Sequence, residues 1–108
     1  MSEKVRVIIK RPDEEFGHVT NISTTLKELQ NTVDGPIEMV YLRNNLALIC
    51  NEEGKLRHLP FNLHVKFRGG TRDVIVGSVL VVGTEGEDLA DIPISLDDWK
   101  TMLKEWGN

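Results

Sequence analysis

The chain contains a single cysteine, Cys50, among its 108 residues, so it cannot form an internal disulfide. This excludes the small secreted domains that disulfides stabilise, and it favours a reducing compartment. A surplus of positive charge is also missing, since the formal net charge is −4. Neutralising the phosphates of DNA or RNA requires that surplus, so we expect no binding to nucleic-acid polymers.

Long apolar runs are absent as well. The longest run covers residues 46–50, far short of the roughly 20 residues that a membrane helix needs. The first four residues contain no apolar region of the kind found in signal peptides. We therefore expect a cytoplasmic protein without membrane contact. Hydrophobic residues make up 40% and charged residues 28%, which is ordinary for a globular protein and predicts a single domain over residues 1–108.

Patterns typical of catalytic or metal sites are missing too. The three histidines, His18, His58 and His64, have no accompanying pair of cysteines, so a zinc site is not expected. Cys50 ends an apolar segment, where a free cysteine usually behaves as a small buried side chain, and no base is placed beside it. We expect no enzymatic activity, no metal and no cofactor.

Hydrophobic periodicity and capping residues predict an α+β domain with a mainly antiparallel sheet of about five or six strands and two packed helices. One helix is expected from Thr25 to Val33, since Thr25 and Glu28 have capping-box spacing, although Ser23 is an equally suitable N-cap. The second helix follows Ser95, which has the same spacing to Asp98. Strands are predicted at 5–9, 16–22, 37–42, 46–50 and 56–59, whereas 61–67 is ambiguous.

The most hydrophobic segment covers residues 74–82 and is apolar on both faces of a potential strand. A strand buried on both faces lies either in the centre of a fold or in a subunit interface. Gly77 in its middle indicates a β-bulge or a close backbone approach. We therefore predict one long strand here and a homo-oligomer.

A polar cluster begins where the apolar strand 46–50 ends. Asn51, Glu52 and Lys55 belong to this cluster, and Asn62 follows shortly after it. Loops held by a rigid scaffold often carry binding groups. Two interpretations remain open: a solvated hairpin turn, or a small-molecule pocket lined by these side chains.

Residues 68–72, Arg-Gly-Gly-Thr-Arg, form a second candidate. A glycine turn between arginines can hold a phosphate, although the alternative is a flexible charged loop. Glu38 lies among apolar neighbours, either facing a polar cavity or on the wet face of its strand. The complete set of predicted ligand-binding residues is Glu38, Tyr41, Asn51, Glu52, Lys55, Asn62, Arg68, Arg72 and Gly77.

Residues 26–83 resemble a family of small phage and Firmicute proteins catalogued as domain of unknown function 3846. The resemblance is carried by residues 37–40, by the turn Asn51-Glu52-Glu53-Gly54-Lys55-Leu56, by Leu59-Pro60-Phe61-Asn62 and by residues 73–77.

The resemblance implies a non-enzymatic accessory protein of phages or mobile elements, active in the host cytoplasm. By analogy, such a protein would sequester a nucleotide-like signal molecule in pockets formed between subunits. The alternative is an inhibitor that binds a host defence or regulatory protein. Its contact surface would be the acidic loops at 13–15 and 85–88.

Overall fold

A computed structural model describes residues 4–108, which form eight strands and two α-helices. Along the chain, one hairpin precedes the first helix, and three hairpins separate it from the second. The elements are β1 Lys4–Lys10, β2 His18–Ser23, α1 Leu26–Val33, β3 Ile37–Arg43, β4 Leu46–Asn51, β5 Phe61–Lys66, β6 Arg72–Val76, β7 Val79–Glu85, β8 Asp88–Ala90 and α2 Leu96–Glu105.

Six of these strands form one antiparallel sheet in the order β2-β1-β7-β4-β3, with β8 paired to the end of β7. The remaining strands, β5 and β6, form a separate antiparallel hairpin. The predicted α+β class with a mainly antiparallel sheet and two helices is confirmed. Strand β5 settles the ambiguity at 61–67 in favour of a strand.

The prediction of one strand over 74–82 is wrong. The chain turns at Gly77, whose φ of 72° is a conformation that side chains rarely adopt. Strand β6 therefore belongs to the hairpin, and β7 belongs to the main sheet between β1 and β4. Because β7 is central, both its faces are buried within this chain. The apolar pattern that indicated a subunit interface thus has an internal explanation.

The predicted strand at 56–59 is also wrong, because residues 52–58 form successive turns. Backbone hydrogen bonds from Arg57 to Glu53 (2.9 Å) and from Leu59 to Gly54 (3.0 Å) close these turns. His58 has a φ of 55°, and Pro60 follows before β5 begins. Gly54 and Pro60 are residues that favour turns over a strand.

Both helices begin as their capping residues predict. The Thr25 hydroxyl accepts a hydrogen bond from the Glu28 N–H (3.3 Å), and a reciprocal capping box joins Ser95 and Asp98. Asp34 ends α1 in the left-handed conformation. Neither helix within residues 4–108 is long and apolar enough to cross a membrane.

The two helices cover opposite faces of the main sheet. The face covered by α2 and the β5–β6 hairpin has a large core in which Trp99 and Leu103 are buried. The Trp99 Nε1–H group donates to the carbonyl of Phe16 (2.9 Å). On the other face, α1 contributes Leu29 and Val33 to a smaller core. We call these the α2 face and the α1 face.

Candidate functional site

Four of the predicted ligand-binding residues line one small cavity. It has a volume of about 270 Å³ and lies between β3, the end of β4, the turns after it and β6. It contains the predicted Glu38, Asn51, Glu52 and Lys55. The remaining lining residues are Val40, Cys50 and residues 73–76.

Carboxylates outnumber cations in this cavity. The Lys55 Nζ atom lies 2.6 Å from Oδ1 of Asp73. Hydrogen bonds from Lys55 and from the Val74 N–H lower the pKa of Asp73, so this carboxyl stays ionised. The positive charge of Lys55 is thus balanced by Asp73, while Glu38 and Glu52 add further negative charge. This balance disfavours the phosphate of a nucleotide.

Cys50 is not an activated nucleophile in this setting. Burial, together with the negative charges of Glu38 and Asp73, raises the pKa of its thiol to about 11. The Sγ atom lies 4.0 Å from a Glu38 oxygen, to which the thiol donates weakly. The reactive thiolate is therefore scarce at neutral pH.

Asn51 is occupied by contacts inside the chain. Its side-chain amide donates to the carbonyls of Val33 and Asp34, both at 3.0 Å, and its oxygen accepts from the Glu53 N–H at 2.7 Å. These hydrogen bonds connect the C-terminus of α1 to the end of β4.

Asn62 is likewise occupied, at a different place in the molecule. Its amide donates to the carbonyls of Lys10 (2.8 Å) and Gly77 (2.7 Å), and its oxygen lies 2.6 Å from the Lys10 Nζ atom. Both side chains are buried, and burial lowers the pKa of Lys10. This cluster connects the end of β1 to the β5–β6 hairpin.

The other predicted residues lie apart from the small cavity. Arg72 donates to the carbonyl of Trp106 (2.7 Å) at the end of α2. Arg68 lines a depression beside the β3–β4 turn. Tyr41 is 62% exposed and points to the opposite face of β3 from Glu38, since their spacing along the strand is odd.

A larger concavity, which the sequence did not reveal, lies on the α1 face. Its volume is about 830 Å³, and we call it the α1 groove. It lies between α1, β3 and the turn joining β7 to β8, and its apolar lining residues come from four elements, α1, β3, β4 and β8. The complete lining consists of Thr24, Leu26, Leu29, Ile37, Met39, Ile49 and residues 85–89.

Leu26 differs from the other apolar residues of α1. It has helical spacing to Leu29 and Val33, which are buried, but it is 57% exposed at the rim of the groove. The available signal was the apolar pattern of β3, in which Ile37, Met39 and Tyr41 share one face. Because α1 is short, it leaves this side of the sheet open.

One end of the α1 groove carries uncompensated negative charge. The acidic turn, residues 85–88, supplies Glu85, Glu87 and Asp88. Among the described residues, the ion pairs involve other acids, namely Glu14, Asp34 and Asp73. The groove therefore combines an apolar floor with an acidic end.

The chain belongs to the family described as Domain of unknown function (DUF3846), whose model matches residues 5–104. No curated protein and no solved structure matches the chain.

Proposed function

We propose that this member of the DUF3846 family is a protein-binding domain, and that its α1 groove holds a basic, partly apolar segment of a partner protein. The observation that carries the proposal is the coincidence of a concavity of about 830 Å³ with the exposed Leu26, the half-buried Met39 and Leu89, and an acidic turn that forms no ion pair among residues 4–108. Hydrophobic grooves are a common way for proteins to hold the apolar face of an amphipathic helix.

The chemistry of the groove defines the partner segment. Leu26, Met39 and Leu89 offer apolar surface that a partner can bury, and burial of apolar surface favours association. Glu85, Glu87 and Asp88 favour Lys or Arg at one end of the segment, because opposite charges steer association and fix orientation. An amphipathic basic helix satisfies both requirements.

This role matches the second of the two functions expected from the sequence, an inhibitor that binds a host protein. The acidic residues 85–88, expected from the sequence to contact the host protein, are part of the proposed binding surface. The loop at 13–15 is less suitable, because Glu14 already contacts Arg11 (3.5 Å) and His18 (2.9 Å). In a phage accessory protein, occupying a basic segment of a host protein would block that segment's own interactions.

Sequestration of a nucleotide-like molecule receives less support from the geometry. The side-chain polar groups of Asn51 and Asn62 already have partners within the chain, which are backbone groups and, for the Asn62 oxygen, the Lys10 ammonium. The cavity beside Glu38 also has an excess of carboxylates, which repels a phosphate.

The test is an NMR titration of the backbone amides with a short synthetic helix bearing leucines on one face and lysines on the other. We expect saturable shifts concentrated at Leu26, Met39 and Glu87. A helix of the same pattern with glutamate in place of lysine should bind far more weakly. Equal binding of both helices would contradict the proposal.

Matched variants separate specific docking from general charge attraction. Glu87→Lys, in the acidic turn, should weaken binding of the lysine helix, whereas Glu15→Lys makes the same charge change at an exposed site outside the groove and should preserve most of it. Met39→Asp should remove the apolar contact. Binding that is insensitive to both Glu87→Lys and Met39→Asp would rule out the groove.

A further inference from the structure

We propose that a second, independent site binds a phosphate group. It is a depression of about 440 Å³ lined by Arg43, Asn44, Asn45 and Arg68, which we call the arginine depression. It lies between the β3–β4 turn and the β5–β6 turn. Arg43 pairs with Leu46, a core residue of the α2 face, so the depression and the α1 groove lie on opposite faces of the sheet.

The main argument comes from the partners of the six arginines of the chain. Four of them donate to groups within the molecule. Arg6 donates to the carbonyl of Ile92 (3.4 Å), Arg11 contacts Glu14 (3.5 Å), Arg57 donates to the carbonyl of Asp34 (2.6 Å), and Arg72 donates to the carbonyl of Trp106 (2.7 Å).

Arg43 and Arg68 are the two that remain. Within residues 4–108, neither guanidinium forms an ion pair or a side-chain hydrogen bond. These same two arginines line one depression, although they are distant in sequence, with Arg43 at the end of β3 and Arg68 in the β5–β6 turn. In a chain of net charge −4, two adjacent unpaired arginines form a local site for an anion.

The backbone on both sides of the depression is anchored. The carbonyls of Asn44 and Asn45 accept from the Thr84 hydroxyl (3.2 Å) and N–H (3.1 Å). The opposite turn is closed by hydrogen bonds from Phe67 to Thr71 (2.7 Å) and from Gly70 to Phe67 (2.9 Å). The backbone that carries Arg43 at the end of β3 and Arg68 in the β5–β6 turn is therefore held in place, so a ligand has mainly the two side chains to order.

The donors present select the class of ligand. A guanidinium offers parallel N–H groups that match two oxygens of a phosphate, and two guanidinium groups balance a dianion. The Asn44 and Asn45 amides can add uncharged donors. A phosphate monoester has the charge and the number of oxygens to use both arginines, whereas a single carboxylate has the charge for one.

The test is a titration with inorganic phosphate, followed by NMR of the arginine Nε–H and asparagine side-chain amides. Sodium chloride at matched ionic strength is the reference. We expect saturable shifts at Arg43 and Arg68 that chloride does not reproduce. Arg43→Gln and Arg68→Gln should each weaken binding about tenfold, the usual effect of losing a hydrogen bond to a charged group.

Arg11→Gln is the matched control, because Arg11 is exposed and already has a carboxylate partner. Its phosphate affinity should equal that of the wild type. Shifts that chloride reproduces, or an affinity unchanged in both Arg43→Gln and Arg68→Gln, would overturn the proposal. Either result would leave the proposed docking function untouched, since the groove lies on the other face.

The phosphate could come from a nucleotide or from a phosphorylated protein. Adenosine monophosphate binding more tightly than inorganic phosphate, with loss of affinity in Arg68→Gln, supports a nucleotide source. Tighter binding of a phosphoserine peptide, with the same loss, supports a protein source. Adenosine alone binding at these residues as well as its monophosphate would contradict a phosphate site.

Discussion

The two faces of the main sheet are covered to different extents. On the α2 face, a ten-residue helix and the β5–β6 hairpin bury Trp99 and Leu103 almost completely. On the α1 face, an eight-residue helix buries Leu29 and Val33 but leaves Leu26 exposed and the side of β3 open. The same sheet thus has one closed face and one partly open face.

This difference separates stability from binding. A closed apolar face contributes most of the hydrophobic stabilisation that holds the fold. An apolar groove left open contributes little to folding. Exposed apolar surface of this kind marks a site of interaction with a partner. Substitutions on the two faces should therefore change different measured quantities.

Trp99→Ala should have the largest effect on stability. The side chain is fully buried, and its indole N–H donates to the Phe16 carbonyl. Removing it should lower the free energy of unfolding by about 3–5 kcal/mol, measured by urea denaturation. Trp99→Phe keeps most of the volume and should cost less. A loss below about 1 kcal/mol for the alanine variant would show that the α2 face is not the main core.

Asn62→Ala should rank second, because it removes the polar link between the main sheet and the hairpin. The carbonyls of Lys10 and Gly77 would lose a buried donor, and the Lys10 ammonium would keep only the longer contact (3.4 Å) to the backbone carbonyl of residue 62. Each unsatisfied group costs about 1–3 kcal/mol, so we expect a loss of at least about 2 kcal/mol. An unchanged melting temperature would instead favour the ligand-binding role expected from sequence.

The pH dependence of stability should reveal the buried thiol on the α2 face. The pKa of Cys50 rises from its ordinary value of 9.0 to about 11, so the folded state retains its proton longer than the unfolded state. Its contribution is fully present below pH 9.0 and is lost as the pH rises toward 11.

Lys10 acts in the opposite direction in the same range. Burial lowers the pKa of its ammonium below 10.5, so its contribution to stability rises as the pH approaches 10.5. Comparison of wild type with Cys50→Ala isolates the thiol, because Lys10 is common to both. The difference in unfolding free energy between them should shrink from pH 9 to pH 11. A constant difference would contradict a raised thiol pKa.

Much of the fold could be predicted from the sequence, because local signals and final structure agree. The caps at Thr25 and Ser95 and the alternation in β1 identify their elements without tertiary information. The segment 74–82 could not be predicted, because both halves are apolar and nothing local assigns them to different sheets. The positive φ of Gly77 decides the outcome, and periodicity does not detect it.

The candidate site was less predictable. The sequence identified Asn51 and Asn62 as polar groups near strand ends, but polar residues there satisfy backbone groups as readily as ligands. Their partners, such as the carbonyls of Val33 and Gly77, are distant in sequence. The α1 groove depends on how far α1 extends across the sheet, which is a tertiary property.

Leu26→Ala should have the smallest effect on stability and a large effect on binding. Leu26 is 57% exposed, so its truncation should change the unfolding free energy by about 0.5 kcal/mol or less. Leu29→Ala, on the same helix, removes a buried side chain and should cost about 2–5 kcal/mol.

Titration of the Leu26→Ala variant with the lysine helix then addresses the groove directly, because the fold is intact. Weaker binding with unchanged stability is expected, since the rim of the groove loses apolar surface that the partner segment would cover. Unchanged binding would place the contact elsewhere and remove the exposed part of the α1 face from the proposed function. The comparison of Leu26 with Leu29 thus separates the two roles of one helix, in which one turn holds the fold and the preceding turn is available to a partner.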